Sequence, residues 1–518
     1  MGYTADQIVV EGIPVEHLED MEFVERAGEH GCLTLGGYVR AEDGEPLLFH
    51  MPQYSPLTIR AEGRILFSGI IMKFLVTGKG DVSSVQVTAY SRSILMDQEK
   101  RCRSFQDTAM TYRELAELVL REYPGSDIQL AFPDVPISSI AVQYQETDWQ
   151  FLKRLFSSLN APLTSLSSSD TLRLYAGVPF LPSVDGAFEM TGFRKELGAY
   201  YYWKQAGKDV RDDQFLIMEG RTEVVAGLFE QIETKGQSLS VMEHGFRLEH
   251  GRLVGTCGIQ KPEGILVKTE YPAHLTGAAL EGTVLEVSGI QIRVHLKIDD
   301  GRDSNDAYWF PFSTLSASSD GSGWYYMPEQ GDQVRVYFPT KHTRDAVAIS
   351  AVSDYKEEGG AAPDRMGDPS TKYLSNPSGQ ELRMGKDGIR LACRGGLASV
   401  MVGNGGDISL YAEDTLLIQA SNNVELTSET EMEFLAENTA VVACAMGGCL
   451  QMHPGGVLML QGTEVKVDQE GTGYGKTGSG RMFYKRSRAC SGRGKETFLP
   501  GIAGKDRAAF CGDLRRHP

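Results

Sequence analysis

The chain has 518 residues, a mass of 56.8 kDa and a net charge of −18. At roughly 100–200 residues per domain, about three to five domains are expected. Hydrophobic residues at 41% and charged residues at 23% exclude a disordered chain, and the acidic balance excludes a protein that wraps duplex nucleic acid.

The first hundred residues read as β. Leu57 and Ile59 alternate in LTIRAEG, ILFSGIIMKFLV follows, and Val85, Val87 and Ala89 share one face of VSSVQVTAY. The clusters EDGE, AEGR and TGKGD read as the turns between these runs, so a barrel or sandwich is expected. Two helices come next. Thr111 and Glu114 form a capping box, and Pro124-Gly125 is the stop. Thr147 and Gln150 form a second box. Behind it Trp149, Leu152, Leu155, Phe156 and Leu159 recur at helical spacing, and the ordinary reading of that stripe is core packing. From about 170 to 270 strands resume in TLRLYAGV, VVAGLFEQIETKG and SLSVMEHGFRLEHGRLVGTCGIQ. Their only available partners are the earlier strands. Residues 1–277 are therefore expected to form one β hub, interrupted by an α/β insertion at about 105–165.

A smaller β module is expected over 278–353. Two alternating strands flank Ser288-Gly289, and YWFPFSTL, GWYYMPEQGDQVRVYFPT and AVAISAVS bring the count to about five. Five short strands in that length fit an OB barrel. Such barrels often bind nucleic acid. Here Trp309, Trp324, Tyr325 and Tyr326 supply aromatics, but only Lys341, His342 and Arg344 cluster as bases, and Asp299, Asp300, Asp303 and Asp306 crowd a loop. No nucleic-acid partner is predicted. In the turn before the fourth strand, Pro328, Gly331 and Asp332 are singled out. Residues 354–372, rich in Gly and Pro, read as a linker.

After the linker the period changes. Ile408 and Leu410, Leu416 and Ile418, Val424 and Leu426, then Met432 and Phe434 recur every eight residues, with polar turns between them. Val441, Val457 and Val465 keep one phase beyond that, and Val442, Leu450 and Leu458 another. Residues i and i+2 of a strand share a face, so the repeat predicts a β-helical segment over 373–470. Burying an aliphatic side chain stabilises by roughly 1.5–3 kcal/mol. Ordering one residue costs about 1–2 kcal/mol. Two buried side chains per octad are thus a deficit unless neighbours pair the backbone. Either the chain coils on itself or three chains wind together, and the second arrangement is the expected one. A stiff prism suits a mechanical part better than a catalyst.

The final residues, 471–518, are basic and without periodicity, and read as an irregular tail. GTGYGKT lacks the first glycine of a phosphate-binding loop, since position 470 is Glu470. Eight cysteines, none in a CxxC pair, read as reduced thiols, and no zinc spacing occurs. His244 and His250 have no ligand-spaced neighbours, and the acidic loop lacks calcium-loop spacing. No catalytic, metal or cofactor residue is assigned and no cofactor is expected. The opening MGYTADQIVVEG has neither a basic nor an apolar signal region, so synthesis in the cytoplasm without a signal peptide is expected.

The order of these parts resembles the VgrG-type spikes of type VI secretion and the hub–spike (late control) proteins of contractile phage tails and tailocins. LFSGII with the segment Ala89 to Gln106, ETDWQFLKRL (Glu146 to Leu155), WYYMPEQGDQVRVYFP (Trp324 to Pro339) and the octads carry the resemblance. It implies a hub of two β-barrels with inserted α/β material, an OB collar and a triple-stranded β-helical needle. It further implies a homotrimer that caps a tail tube, meets tube and baseplate proteins, carries a PAAR-like tip protein or effector cargo, and punctures a target envelope once assembled into a particle. The span between Val352 and Tyr373 is too short for a lysozyme-like insertion. A β-helical polysaccharide-degrading enzyme and a receptor-binding adhesin are the rival readings.

Overall fold

The computed structural model describes residues 2–79, 82–184, 188–223, 225–234, 236–301, 307–320, 322–351, 368–443, 448–453, 457–462 and 481–482. They fall into two units, 1–358 and 359–518. Most of the linker and all of the basic tail except Arg481 and Met482 lie outside the described residues, as do Val465 and GTGYGKT. The described chain is mainly β, with a β hub, an α/β insertion and an OB barrel.

The hub opens with β1 (Ile8–Glu11), β2 (His17–Arg26), β3 (Cys32–Arg40), helix α1 (Ala41–His50), β4 (Pro56–Ala61), β5 (Arg64–Lys79) and β6 (Val82–Ser91). EDGE was expected to be a turn, but it lies within α1. Glu42 and Asp43 occupy the helix's first turn, where the helix dipole favours acids. Arg40 at the N-cap pairs with both of them, at 2.9 and 3.0 Å.

The insertion follows as β7 (Lys100–Phe105), α2 (Tyr112–Leu120), β8 (Asp127–Leu130), β9 (Ala141–Thr147), α3 (Asp148–Ser157), β10 (Leu163–Ser165) and β11 (Arg173–Ala176). Both capping boxes form, at Thr111 with Glu114 and at Thr147 with Gln150. TLRLYAGV, expected to return to the hub, instead pairs β11 in parallel with β8 inside the insertion.

The hub then resumes with β12 (Phe188–Lys195), α4 (Leu197–Gln205), β13 (Leu216–Thr222), β14 (Gln231–Thr234), β15 (Gln237–Glu249) and β16 (Arg252–Gln260). Helix α4 was not expected among these strands. Its aromatic run cannot alternate sides as a strand would: Trp203 is buried with Val210 and Phe215, whereas neighbouring Tyr201 and Tyr202 are exposed. Only the end of VVAGLFEQIETKG is a strand, although Leu228 and Phe229 are buried in the loop before it.

The two hub halves form one eleven-stranded sheet, ordered β1-β4-β5-β6-β3-β2-β15-β16-β13-β12, with β14 on β15. The join is β2 against β15, from Arg26 opposite Glu243 to Glu22 opposite Arg247. The N-terminal residues close the first part into a barrel. Thr4 bridges Arg252, and Leu253 N–H donates to the Tyr3 carbonyl at 2.8 Å. Phe23, Leu33, Leu35, Phe67, Val87 and Phe246 fill it. A second cluster, with Phe229, Val241 and Ile259, lies under the far strands.

The OB module has β17 (Ala279–Ser288), β18 (Gln291–Leu296), β19 (Trp309–Pro311), β20 (Gln333–Tyr337) and β21 (Val347–Ala351). The order is β19-β18-β17-β20-β21, and a parallel bridge from Phe312 to Ala348 closes the barrel. The hairpin turn is Gly289-Ile290 rather than Ser288-Gly289, because Ser288 still pairs with Gln291. Gly289 takes φ +57, a conformation glycine adopts without penalty.

The second unit holds an antiparallel meander of β22 (Lys372–Ser375), β23 (Glu381–Gly385), β24 (Gly388–Cys393), β25 (Ala398–Gly403) and β26 (Ile408–Ala412). A smaller one comprises β27 (Ala440–Ala443), β28 (Cys449–His453), β29 (Val457–Gln461) and β30 (Arg481–Met482). Between them, residues 413–439 contain no strand. The described chain therefore does not coil on itself as a solenoid. The octad segments after Ala412, from Leu416 to Phe434, form no strand and have no ladder partner.

Candidate functional site

Three buried joints and one uncovered segment stand out.

The first joint lies inside the insertion. Arg103 on β7 is almost fully buried, and its guanidinium reaches Asp148 at the start of α3 (2.5 Å), Gln143 Oε1 (2.6 Å) and Glu122 (3.0 Å). Asp148, fully buried, also accepts from Gln143 Nε2 at 3.0 Å and from the Tyr123 hydroxyl at 2.9 Å. Burial and then the facing Asp148 carboxylate push the Tyr123 phenol up. Burial would raise Glu122, but Arg101 and Arg103 outweigh it and hold that carboxyl below its usual range. Arg154 makes a bidentate pair with Glu146, at 2.8 and 2.7 Å. Every charge here has a partner, which is what burial demands. Trp149, Leu152 and Phe156 on α3 are buried in the adjoining core with Leu115, Val119 and Leu163. His30 packs on Trp149 with ring centroids 4.5 Å apart.

The second joint ties the insertion to the OB barrel. Asp299 accepts from the Ser104 N–H at 2.7 Å and from its hydroxyl at 2.5 Å. Gln106 donates to the Val294 carbonyl at 3.2 Å and accepts from the Tyr308 N–H at 3.0 Å. Thr343 donates to the Ile140 carbonyl at 2.7 Å. Ile140 and Val142 of the insertion are buried in the barrel's own core beside Leu280, Val294 and Phe338.

The third joint ties the insertion to the hub sheet. Glu25 on β2 accepts from both the N–H and hydroxyl of Ser167, and its other oxygen lies 2.8 Å from His244 Nε2 on β15. His244 has no ligand-spaced neighbour in the sequence. It is buried, and Glu25 satisfies one of its nitrogens. Asp299 and Glu25 could not have been picked out from the sequence, because their partners lie 195 and 142 residues away.

In the OB turn, Pro328 is buried while Gly331 and Asp332 are exposed. Gly331 N–H donates to the Val284 carbonyl, and Val284 N–H donates to the Asp332 carbonyl, both at 2.9 Å. The Asp332 carboxylate accepts from Glu329 N–H at 2.8 Å. Gly331 has φ +95, with open space where a side chain would sit, so the backbone conformation alone selects glycine. This cluster fixes a turn and presents no chemistry of its own.

The octad residues are the uncovered segment. Ile408, Leu410, Leu416, Ile418, Val424, Leu426, Met432 and Phe434 are between 44% and 71% exposed in the single chain. Val457 is also exposed and Val441 half-buried. These exposed apolar pairs recur along one stretch of the chain, with polar segments between them. Among the described residues no group of three or more His, Cys, Asp or Glu could hold a metal ion, and no helix is long and apolar enough to cross a membrane.

Comparison with known proteins supplies the context for these joints. Residues 53–158 match the family "Phage tail baseplate hub (GPD)", and residues 280–352 match "Type VI secretion system/phage-baseplate injector OB domain". No curated protein matches the chain by sequence. Among solved structures, the E. coli c3393 protein, a type VI secretion component, is 13% identical. It covers 67% of this chain and 99% of its own, with a TM-score of 0.48. A chain of the half-lidded Francisella PdpA–VgrG complex is 8% identical over 76% of this chain and 83% of its own, with a TM-score of 0.48. The tail protein of Neisseria meningitidis MC58 is 13% identical, covering 52% of this chain and 100% of its own, with a TM-score of 0.38. The first matched family spans the strands and helices that build the Arg103–Asp148 joint, and the second spans the barrel that supplies Asp299. The chain thus carries a phage tail baseplate hub segment ahead of a type VI secretion/phage-baseplate injector OB domain, the parts of a structural hub–spike of a contractile injection system.

Proposed function

We propose that the protein works as a homotrimer whose octad segments wind into a β-helical needle, with the hub docked on the tail tube and baseplate and the OB barrels forming a collar. The division into hub (1–277), OB barrel (278–353), linker (354–372), needle (373–470) and tail (471–518) belongs to this reading. One observation carries it. Eight apolar side chains at octad spacing stay mostly exposed in a single chain, and six of them, Leu416 to Phe434, lie on backbone without ladder partners. Two further copies would supply both the apolar contacts and the missing strand neighbours, and would leave few open edges.

The mechanism is force transmission. Contraction drives tube and spike forward, the needle concentrates load on a small area of the target envelope, and interlocked strands resist unfolding. The buried joints let load pass from barrel to insertion to hub without breaking a solvent-exposed contact. The protein then acts without catalysis or cofactor, is made in the cytoplasm, and leaves the cell only within the particle. A PAAR-like tip protein or effector cargo would ride at the needle end, and nucleic acid has no part in the reading. The test is the mass of the purified full chain by light scattering. A trimer supports the reading, and a stable monomer at micromolar concentration sinks it.

A further inference from the structure

The seam between insertion and OB barrel contains a cavity of about 270 Å³ that none of the roles above uses. Three pieces of the chain meet there. The insertion contributes Ser139 and Arg154, the segment leading into the barrel contributes Tyr271, and the barrel contributes Lys341, His342 and Arg344.

The charges are unevenly matched. Arg154 is neutralised by its bidentate bond to Glu146. Arg344 lies 3.8 Å from Asp345 but is largely exposed. Among the described residues Lys341 and His342 have no carboxylate at ion-pair distance, and the single acid at the lining, Glu270, is exposed. Instead they flank the Tyr271 ring. Lys341 Nζ sits 4.1 Å from its centroid, and the His342 ring meets it edge-on at 5.3 Å. Holding the ammonium on an aromatic face fixes its position without neutralising it. Ser139 lines the cavity, and its hydroxyl, shielded from solvent, has no hydrogen-bond partner. A second hydroxyl pair, Tyr112 with Ser158 at 2.8 Å, lies alongside. A buried hydroxyl without a partner is costly, and such groups in native proteins call for an explanation.

We propose that this cavity binds a small phosphorylated molecule, a pyrophosphate or phosphate monoester, with its oxyanion held by Lys341, His342 and Arg344 and a further oxygen accepting from Ser139. Lys341 and His342, without a facing carboxylate, lie beside the Arg344 guanidinium and make a locally basic site on a chain of net charge −18. Donors converging from three residues suit an oxyanion with several oxygens, and a guanidinium fork suits phosphate in particular. The space is large enough for a pyrophosphate or a short phosphate ester. Because the walls come from both modules, an occupied cavity would tie insertion and barrel more tightly together.

Titration calorimetry on the full chain at low ionic strength tests this, using sodium pyrophosphate, glycerol 2-phosphate and, as the carboxylate arm, sodium succinate. The expected result is saturable binding of one phosphate compound per chain. It should weaken at least tenfold in Lys341→Ala/Arg344→Ala and several-fold in Ser139→Ala, and stay unchanged in Lys73→Ala/Lys204→Ala, which removes an equal charge elsewhere. Any of three results overturns the proposal: no saturable binding, equal binding by the double variant, or succinate binding as tightly as pyrophosphate. Circular dichroism of each variant separates lost binding from lost folding, and a folded Ser139→Ala with full affinity refutes the role given to that hydroxyl.

Discussion

Replacing Leu426 with alanine tests the octad reading most directly. In the single chain this side chain is 63% exposed, so about two-thirds of its surface remains for a neighbour to bury. A buried Leu→Ala change costs about 2–5 kcal/mol. Scaled to the uncovered part, that is roughly 1.5–3 kcal/mol per chain. A three-fold assembly repeats the loss three times, giving roughly 4–9 kcal/mol. At about 1.4 kcal/mol per decade, the dissociation constant of the trimer should rise by roughly three to six decades. Sedimentation velocity over a dilution series, from micromolar to nanomolar, reads that shift. The hub should be unaffected, so its unfolding transition in the same samples is the internal control. The reasoning is refuted if the parent chain is trimeric and Leu426→Ala dissociates at the same concentration.

Three further outcomes follow from the buried joints. Asp299→Ala removes the acceptor of two hydrogen bonds and strands the Ser104 N–H, so urea denaturation should show a loss of about 2–4 kcal/mol, with the OB barrel released first; an unchanged transition would show that the seam is held by packing alone. Asp148→Ala leaves Arg103 buried without its carboxylate and should cost about 3–5 kcal/mol, read as an earlier loss of helical signal on denaturation. Burial pushes the Cys257 thiol up to about 12 from an ordinary value of 9.0. The folded state therefore keeps its proton while the unfolded state loses it. Stability from this group is full below pH 9 and falls by about 1.4 kcal/mol per pH unit between 9 and about 12. Cys257→Ala should flatten that alkaline slope, and at pH 8 the native protein should alkylate at exposed Cys102 well before Cys257.

Local signals fixed the elements whose causes are local. The capping boxes at Thr111 and Thr147 name both insertion helices, since a cap's donors and acceptors lie within three residues of each other. Alternation in VSSVQVTAY and QVRVY marks strands because one face of each is buried. The octads announce themselves by period alone. Composition misled where tertiary context outvoted it: EDGE became a helix once Arg40 and the helix dipole claimed its acids, and the tyrosine run became α4 once Trp203 found Val210 and Phe215. What only the folded chain decided is which distant residues meet. Asp299 reads as one aspartate in an acidic loop until Ser104 closes on it, and Glu25 reads as a surface acid until Ser167 and His244 surround it. Periodicity reports which face a residue turns to the interior. It carries no information on what waits there, because that partner is placed by the packing of whole sheets and barrels.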